Sequence, residues 1–271
     1  MDYIQQAIDK ARDERQGKIG QETNEKTSDE ITTEKSLIAD PKAVPSEINY
    51  TKTRQIELKD DVLRNNRVIA GFNFDQRAEP YRQLRTQVLQ KLRANNWKTL
   101  AITSPNGNAG KTLTAINLAI SLSKEVNQTV MLVDLDLRDP SVLSTLEIEV
   151  DYGLVDHLKG DVSVGDILVN PGLERLVILP GKADINYSSE LLSSPEMKNL
   201  LTDLTSRYES RIIIFDMPGL LVGDDTLAFA PYVDAALLVV EEGVTTPDDV
   251  QRSLQMLEGT NLLGTILNKA E

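Results

Sequence analysis

Three short stretches of this 271-residue chain carry side chains whose types and spacing suit phosphate chemistry. The first is Ser104-Pro105-Asn106-Gly107-Asn108-Ala109-Gly110-Lys111-Thr112. An apolar run precedes it and a helical pattern follows. Small residues let the backbone curl so that its N–H groups face phosphate oxygens, and a helix N-terminus adds partial positive charge. The expected cradle runs through Gly107, Asn108, Ala109, Gly110, Lys111, Thr112 and Leu113. Lys111 is suited to the β- and γ-phosphates of a nucleotide, and the Thr112 hydroxyl to Mg²⁺. Pro105 stands where the strict pattern has its first glycine.

The second stretch, Met131 to Pro140, is an apolar strand ending in Asp134 and Asp136. If the strand persists, the two carboxylates project on one side, one pleat apart. Such a pair can hold a divalent ion's waters or accept a proton from a nucleophile. The third stretch, Arg211 to Pro218, is a continuous apolar run ending in Asp216. This reads as a buried central strand with a carboxylate at its tip, suited to holding Mg²⁺. A nucleoside triphosphate with Mg²⁺ is therefore the expected ligand. Lys111, Asp134, Asp136 and Asp216 are the expected catalytic set, with Thr112, Asp134 and Asp216 at the metal. Asp134 or Asp136 acts as base or positions the nucleophile.

These residues need a frame. Strand-like runs occur at 99–103, 129–133, 176–179, 211–215, 235–240 and 264–267. Helical patterns lie near 78–94, 110–125, 195–208, 224–231 and 247–258. Strands alternating with helices predict an α/β fold, a mostly parallel sheet flanked by helices. Ahead of it, Tyr3, Ile4, Ala7, Ile8 and Ala11 share one face of an amphipathic helix over residues 1–15. Residues 16–60 read as a flexible, disordered tether. Between 14 and 36 the only large apolar side chains are Ile19 and Ile31, too few to offset the entropy of ordering. The phosphate-binding domain is expected over 61–271.

Composition narrows the function further. Asp plus Glu number 42 against 29 Lys plus Arg, a net charge of −13, which disfavours nucleic acid as a partner. There is no cysteine, which excludes disulfides, thiolate metal sites and cysteine nucleophiles. The single histidine, His157, excludes multi-histidine metal sites and argues against a serine–histidine hydrolase. No apolar run reaches the ~20 residues of a membrane span. The first residues are too charged for a signal peptide. A cytoplasmic protein is expected.

Taken together, the motifs resemble the bacterial tyrosine kinases that use a P-loop NTPase fold, a branch of the ParA/MinD-type ATPases associated with capsule and exopolysaccharide synthesis. The similarity covers roughly residues 65–271. Residues 104–112 match that family's Walker A motif, 131–138 its Asp-x-Asp-x-Arg motif and 212–218 its Walker B. Glu79, Arg82 and Arg85 match its Glu-x-x-Arg-x-x-Arg motif. The resemblance implies that these three side chains mediate contacts in a homo-oligomer. It also implies an adenine-reading role for Asn268 and a membrane chain-length-determinant protein (a polysaccharide co-polymerase) as partner. Through that partner the chain would sit peripheral to the inner membrane, and the helix over 1–15 is the candidate dock.

Asn106 occupies the position where the partition and cell-division branch carries a signature lysine, which favours the kinase branch. Two features depart from the kinases. Gly219 stands where a second proline is common, and the last tyrosine is Tyr232, where the kinases carry a C-terminal tyrosine cluster. The expected function is an ATP-dependent protein-tyrosine kinase regulating exopolysaccharide assembly. The alternative is an ATPase switch acting on the same process without tyrosine phosphorylation.

Overall fold

The computed structural model describes residues 53–182, 185, 187–208 and 210–270. The helix expected at 1–15, and the tether as far as residue 52, lie outside the described residues. Among those described, eight strands form one sheet. They are β1 (Arg54–Gln55), β2 (Thr99–Thr103), β3 (Thr129–Asp134), β4 (Val169–Asn170), β5 (Leu176–Leu179), β6 (Arg211–Asp216), β7 (Ala235–Glu241) and β8 (Asn261–Asn268). Their order is β1-β4-β5-β3-β6-β2-β7-β8. Every pairing is parallel except β4 with β5.

The helices are α1 (Asp60–Asn65), α2 (Glu79–Ala94), α3 (Lys111–Ser123), α4 (Val142–Thr145), α5 (Leu154–Leu158), α6 (Val164–Ile167), α7 (Ser188–Leu192), α8 (Pro195–Ser206), α9 (Asp225–Phe229) and α10 (Pro247–Met256). The six strands and the long helices expected from apolar patterning are present. The two-residue strands β1 and β4 and the short helices between 142 and 192 were not expected. Because β1 pairs with β4, sheet contacts begin at Arg54, inside the span read as tether and ahead of the expected boundary at 61.

The central strands are apolar throughout because both faces of the sheet are covered. Successive residues alternate between two cores. Leu100, Ile102, Val130, Leu132, Ile212 and Ile214 face the core that holds α2 and α3. Ala101, Met131, Val133, Ile213 and Phe215 face the core that holds α8 and Phe229. Phe215 and Phe229 meet edge to face with centroids 4.9 Å apart. Helix starts are set locally. The Ser194 hydroxyl accepts the Met197 N–H ahead of Pro195, and Thr246 and Asp249 form a capping box at α10.

Helix α3 is apolar on nearly every side and is enclosed almost completely. Its one buried amide, Asn117, ties the segment before α2 to it. The Asn117 side-chain oxygen accepts the N–H groups of Ile69 (2.8 Å) and Ala70 (2.9 Å). Its amide nitrogen donates to the carbonyls of Leu113 (2.9 Å) and Arg67 (3.2 Å). Leucine there would leave two buried N–H groups without an acceptor. Asn117→Leu is expected to lower unfolding stability by about 2–4 kcal/mol in urea titration. Hydrogen exchange should rise first at Ile69 and Ala70. Unchanged protection at those two amides would show that the bonds do not hold the segment.

Candidate active site

The site is built at the carboxyl ends of three adjacent strands, β3, β6 and β2. The chain leaves β2, returns two places away as β3, and later fills the gap with β6. In an open α/β sheet this is where ligands bind. Register sets the carboxylates side by side: Asp134 is the cross-strand partner of Asp216, and Asp216 also pairs with Ile102. The loop 104–110 leaves β2 directly above them and runs into α3.

That loop is held from both sides. The Thr103 hydroxyl donates to the Pro218 carbonyl at 2.7 Å, and the Leu220 and Leu221 N–H groups donate to the Ser104 and Pro105 carbonyls. A Cβ on Gly219 would come within 3.0 Å of the Asn106 carbonyl carbon. The close approach of these two backbones explains glycine at 219. On the other side, the Asn268 amide at the end of β8 donates to the Ala109 carbonyl at 2.8 Å. Gly110 lies beneath it with φ +89°, and a Cβ there would meet the Asn268 amide nitrogen at 2.1 Å. Asn108 also has positive φ, at 63°, a conformation asparagine tolerates better than most residues.

Lys111 opens α3 and is buried. Its Nζ lies 2.7 Å from Asp136 Oδ2. Burial works against its charge, but Asp216, Asp136 and Asp134 outweigh burial and raise its pKa above the ordinary lysine value. Asp134 is held by the backbone: Val142 N–H donates to Oδ2 at 3.0 Å and Asp136 N–H to Oδ1 at 3.2 Å. Burial, reinforced by the neighbouring Asp216 charge, pushes its carboxyl well above the usual range. Burial likewise pushes Asp216 up to about 6, with Lys111 and the Thr112 hydroxyl pulling in the opposite direction. Neither Asp216 oxygen accepts a hydrogen bond meeting ordinary geometry.

Of the residues expected at the site, the loop 107–113, the three aspartates and Asn268 converge. Glu79, Arg82 and Arg85 lie apart from it, on α2. Arg82 pairs with Glu79 at 2.7 Å, and Arg85 reaches Glu125, just past the end of α3, at 3.2 Å. His157 also lies elsewhere, its Nδ1 2.8 Å from the Val162 carbonyl.

The structure adds two residues that patterning did not single out. Ser141 donates to the Thr112 hydroxyl at 3.2 Å. Arg138, the last residue of the Asp-x-Asp-x-Arg match, crosses to the loop after β6. Its Nε lies 2.9 Å from Asp225, which is fully buried, and 3.0 Å from the Ser188 hydroxyl. Such long-range pairing leaves no local signal; only the motif marked Arg138.

The donors suit Mg²⁺. No group of three or more His, Cys, Asp or Glu side chains among the described residues could cage a metal unaided. Mg²⁺ characteristically retains waters and is held by one or two carboxylates with substrate phosphates. Two buried Asp216 oxygens without hydrogen bonds, beside the Thr112 hydroxyl, fit that arrangement.

Comparison with known proteins agrees with this geometry. The AAA domain family matches residues 97–236, just over half of the chain. The chain is 30% identical over 193 residues to the tyrosine-protein kinase YwqD of Bacillus subtilis, covering 70% of this chain and 80% of that one. It is also 30% identical over 227 residues to the succinoglycan biosynthesis transport protein ExoP of Rhizobium meliloti. That match covers 80% of this chain but spans only 28% of ExoP's length. Among solved structures, the VpsO kinase domain superposes with a TM-score of 0.64 at 28% identity, covering 78% of this chain and 98% of that one. With the loop, the paired aspartates and the strand-end Asp216 in the order and register described, the chain belongs to the bacterial tyrosine-protein kinase family built on the P-loop AAA domain.

Proposed function

We propose that this chain is an ATP- and Mg²⁺-dependent protein-tyrosine kinase regulating exopolysaccharide or capsule assembly. Its partner would be a membrane-embedded chain-length-determinant protein, which would bring it to the inner membrane; no described helix is long and apolar enough to cross a bilayer itself. The observation that carries the reading is the convergence of Lys111 with three buried carboxylates at adjoining strand ends, beneath the phosphate-binding loop.

Phosphoryl transfer is chiefly positioning and charge neutralisation. The loop N–H groups and Lys111 would hold the phosphates, and Lys111 would exchange part of its contact with Asp136 for phosphate oxygen. Thr112 and Asp216 would hold Mg²⁺, which when bound neutralises phosphate charge. Asp134 is braced by two N–H groups and made more basic by burial, so it suits the role of base toward the attacking hydroxyl. Asp136 steers Lys111. Asn268 restrains the loop at Ala109, and its side-chain oxygen remains available to an adenine amino group.

The first test follows the γ-phosphate. Incubated with ATP and Mg²⁺ and the cytoplasmic segment of its membrane partner, the parent protein is expected to give phosphotyrosine detectable by mass spectrometry. Lys111→Met should give none. Free phosphate without phosphotyrosine would replace the kinase with an ATPase switch.

The metal assignment has its own test. The fold favours the neutral Asp216 carboxyl, so its stabilising contribution is present at acid pH and is lost as pH rises from the ordinary carboxylate value of 3.8 through about 6. Without nucleotide at about pH 8, Asp216→Asn should therefore melt ~2–6 °C above the parent, with the gap narrowing below about pH 6. Mg²⁺ with ADP should raise the parent's melting temperature and scarcely move the variant's. A variant that melts lower at alkaline pH, or responds equally to Mg²⁺, would remove Asp216 from the metal.

The α2 side chains are proposed to join copies of the chain. Glu79→Ala with Arg82→Ala and Arg85→Ala should give a smaller particle by light scattering. An unchanged mass would end that assignment.

A further inference from the structure

The charge of this acidic chain is unevenly placed. From Arg64 to Lys98 eight Lys and Arg stand against only two carboxylates, Asp75 and Glu79, in a chain of net charge −13. The basic stretch takes in the end of α1, the loop that follows it and all of α2. That loop presents Phe74 wholly to water. It is 100% exposed, whereas no other large apolar side chain among the described residues exceeds 69%. Phe72, two residues earlier, packs against the core, its ring 3.9 Å from the Arg64 guanidinium. Phe74 stands clear of that core, so it forgoes the gain that burial of a benzyl group brings.

The loop is fixed in this form. Lys124, just past the end of α3, donates to the Gly71 carbonyl (3.0 Å) and to Asn73 Oδ1 (2.9 Å). The Arg77 backbone N–H and guanidinium both donate to Asp75, at 2.9 and 2.7 Å, and Arg64 lies 3.7 Å from the same carboxylate. Arg77 thereby holds Asp75 down to about 2, so it is ionised at neutral pH. One carboxylate then serves two guanidinium groups, and a positive charge is left over. Burial lowers the Lys124 pKa, and the charges of Arg82 and Arg85 lower it further, which marks the surroundings of the loop as positive. Beside Phe74 the surface sinks into a concavity of about 530 Å³, lined by Phe74 itself, by Arg64 and Arg77 and by the Asn73 and Gln76 side of the loop. The Arg64 and Arg77 side chains keep 50% and 62% of their surface exposed, while that of Asp75 beneath them keeps 10%. An arriving anion therefore meets the guanidinium groups before the carboxylate.

These features choose the occupant. It must be apolar where the ring enters and anionic around it. A nucleic-acid backbone supplies anions but no apolar bed. An anionic bilayer supplies both at neighbouring depths, phosphodiesters for the guanidinium groups and acyl carbon just below for the ring. We propose that this loop is a direct contact with an anionic membrane surface, in which Phe74 enters the headgroup–acyl boundary and a lipid phosphate sits between Arg64 and Arg77. One ring and a few cations give weak, reversible attachment, which copies joined through α2 would multiply. The contact belongs to the chain itself. It requires neither the membrane partner nor the kinase assignment.

The test uses the purified full chain alone, with vesicles of phosphatidylcholine and vesicles of phosphatidylcholine and phosphatidylglycerol in equal parts. The chain should sediment with the anionic vesicles at low ionic strength, and should be released by salt and ignore the neutral ones. Phe74→Ser, at a fully exposed position, should weaken partition about fivefold to tenfold. Arg64→Gln with Arg77→Gln should weaken it about tenfold or more. Phe74→Trp tests the site without removing the contact: its emission should be quenched by brominated acyl chains beyond any quenching of Trp97 in the parent. No binding to anionic vesicles, equal binding by Phe74→Ser, or no added quenching would each overturn the proposal. Soluble glycerophosphoglycerol should not displace the bound chain; displacement would assign the concavity to free phosphate esters and overturn the membrane contact. A smaller particle for Phe74→Ser by light scattering, with no vesicle binding by the parent, would give the ring to a second copy of the chain instead.

Discussion

Burying three carboxylates around one ammonium is the constraint on which the rest of this structure depends. Asp134, Asp136 and Asp216 are buried at the ends of β3 and β6, and Lys111 lies among them, 2.7 Å from Asp136. One lysine cannot neutralise three carboxylates. Burial pushes the Asp134 and Asp216 carboxyls toward the neutral form, Asp216 to about 6, with Lys111 pulling the other way on Asp216. Breaking a buried pair by removing one partner generally costs about 3–5 kcal/mol, because the other charge remains buried. In the proposed reading a divalent cation would relieve this crowding of carboxylates, while incoming phosphate oxygens would compete for Lys111. The excess of carboxylate over lysine would repel the triphosphate if no cation came with it.

Holding such a cluster requires a scaffold that does not yield. Parallel pairing of β3 with β6, and of β6 with β2, fixes Asp134 against Asp216 and Asp216 against Ile102. These are the strands buried on both faces, so a slip of one residue would exchange the contents of two hydrophobic cores. The loop above them is tied to the backbone after β6 on one side and to Asn268 on the other. Its positive-φ residues are set by those neighbours as well as by the turn. Gly110 is required by its own φ and by the Asn268 amide above it.

The parts of this arrangement legible in the sequence were those with a local signature. The central strands announce themselves as apolar runs because both faces are covered, and Asp134 and Asp216 each end such a run. The loop was legible because Gly-Lys-Thr falls between a strand and a helix. Strands of two residues have no period to read, which is why β1 and β4 went unseen and the edge of the domain was placed at 61 instead of ahead of Arg54. Ser141 sits in a turn, and nothing in its neighbourhood points 29 residues back to Thr112. Asp225 reads as an ordinary first-turn acid of a short helix, yet it is fully buried and paired with Arg138. In each missed case the information lies in a contact between distant segments.

The placement of Asp134 follows from these constraints. In the proposed kinase reading, the base toward a protein hydroxyl is the carboxylate least engaged by the lysine. Asp136 is committed to Lys111, and Asp216 lies beneath the loop beside Thr112. Asp134 is held by the N–H of Val142 at the start of α4, and α4 also carries Leu143 into an adjoining cavity. The turn that fixes the carboxylate is thus continuous with the wall of that cavity. Three consecutive residues, Ser141, Val142 and Leu143, touch Thr112, brace Asp134 and line the adjoining cavity. A shift of this turn would move the cavity wall, the Asp134 brace and the Thr112 contact together.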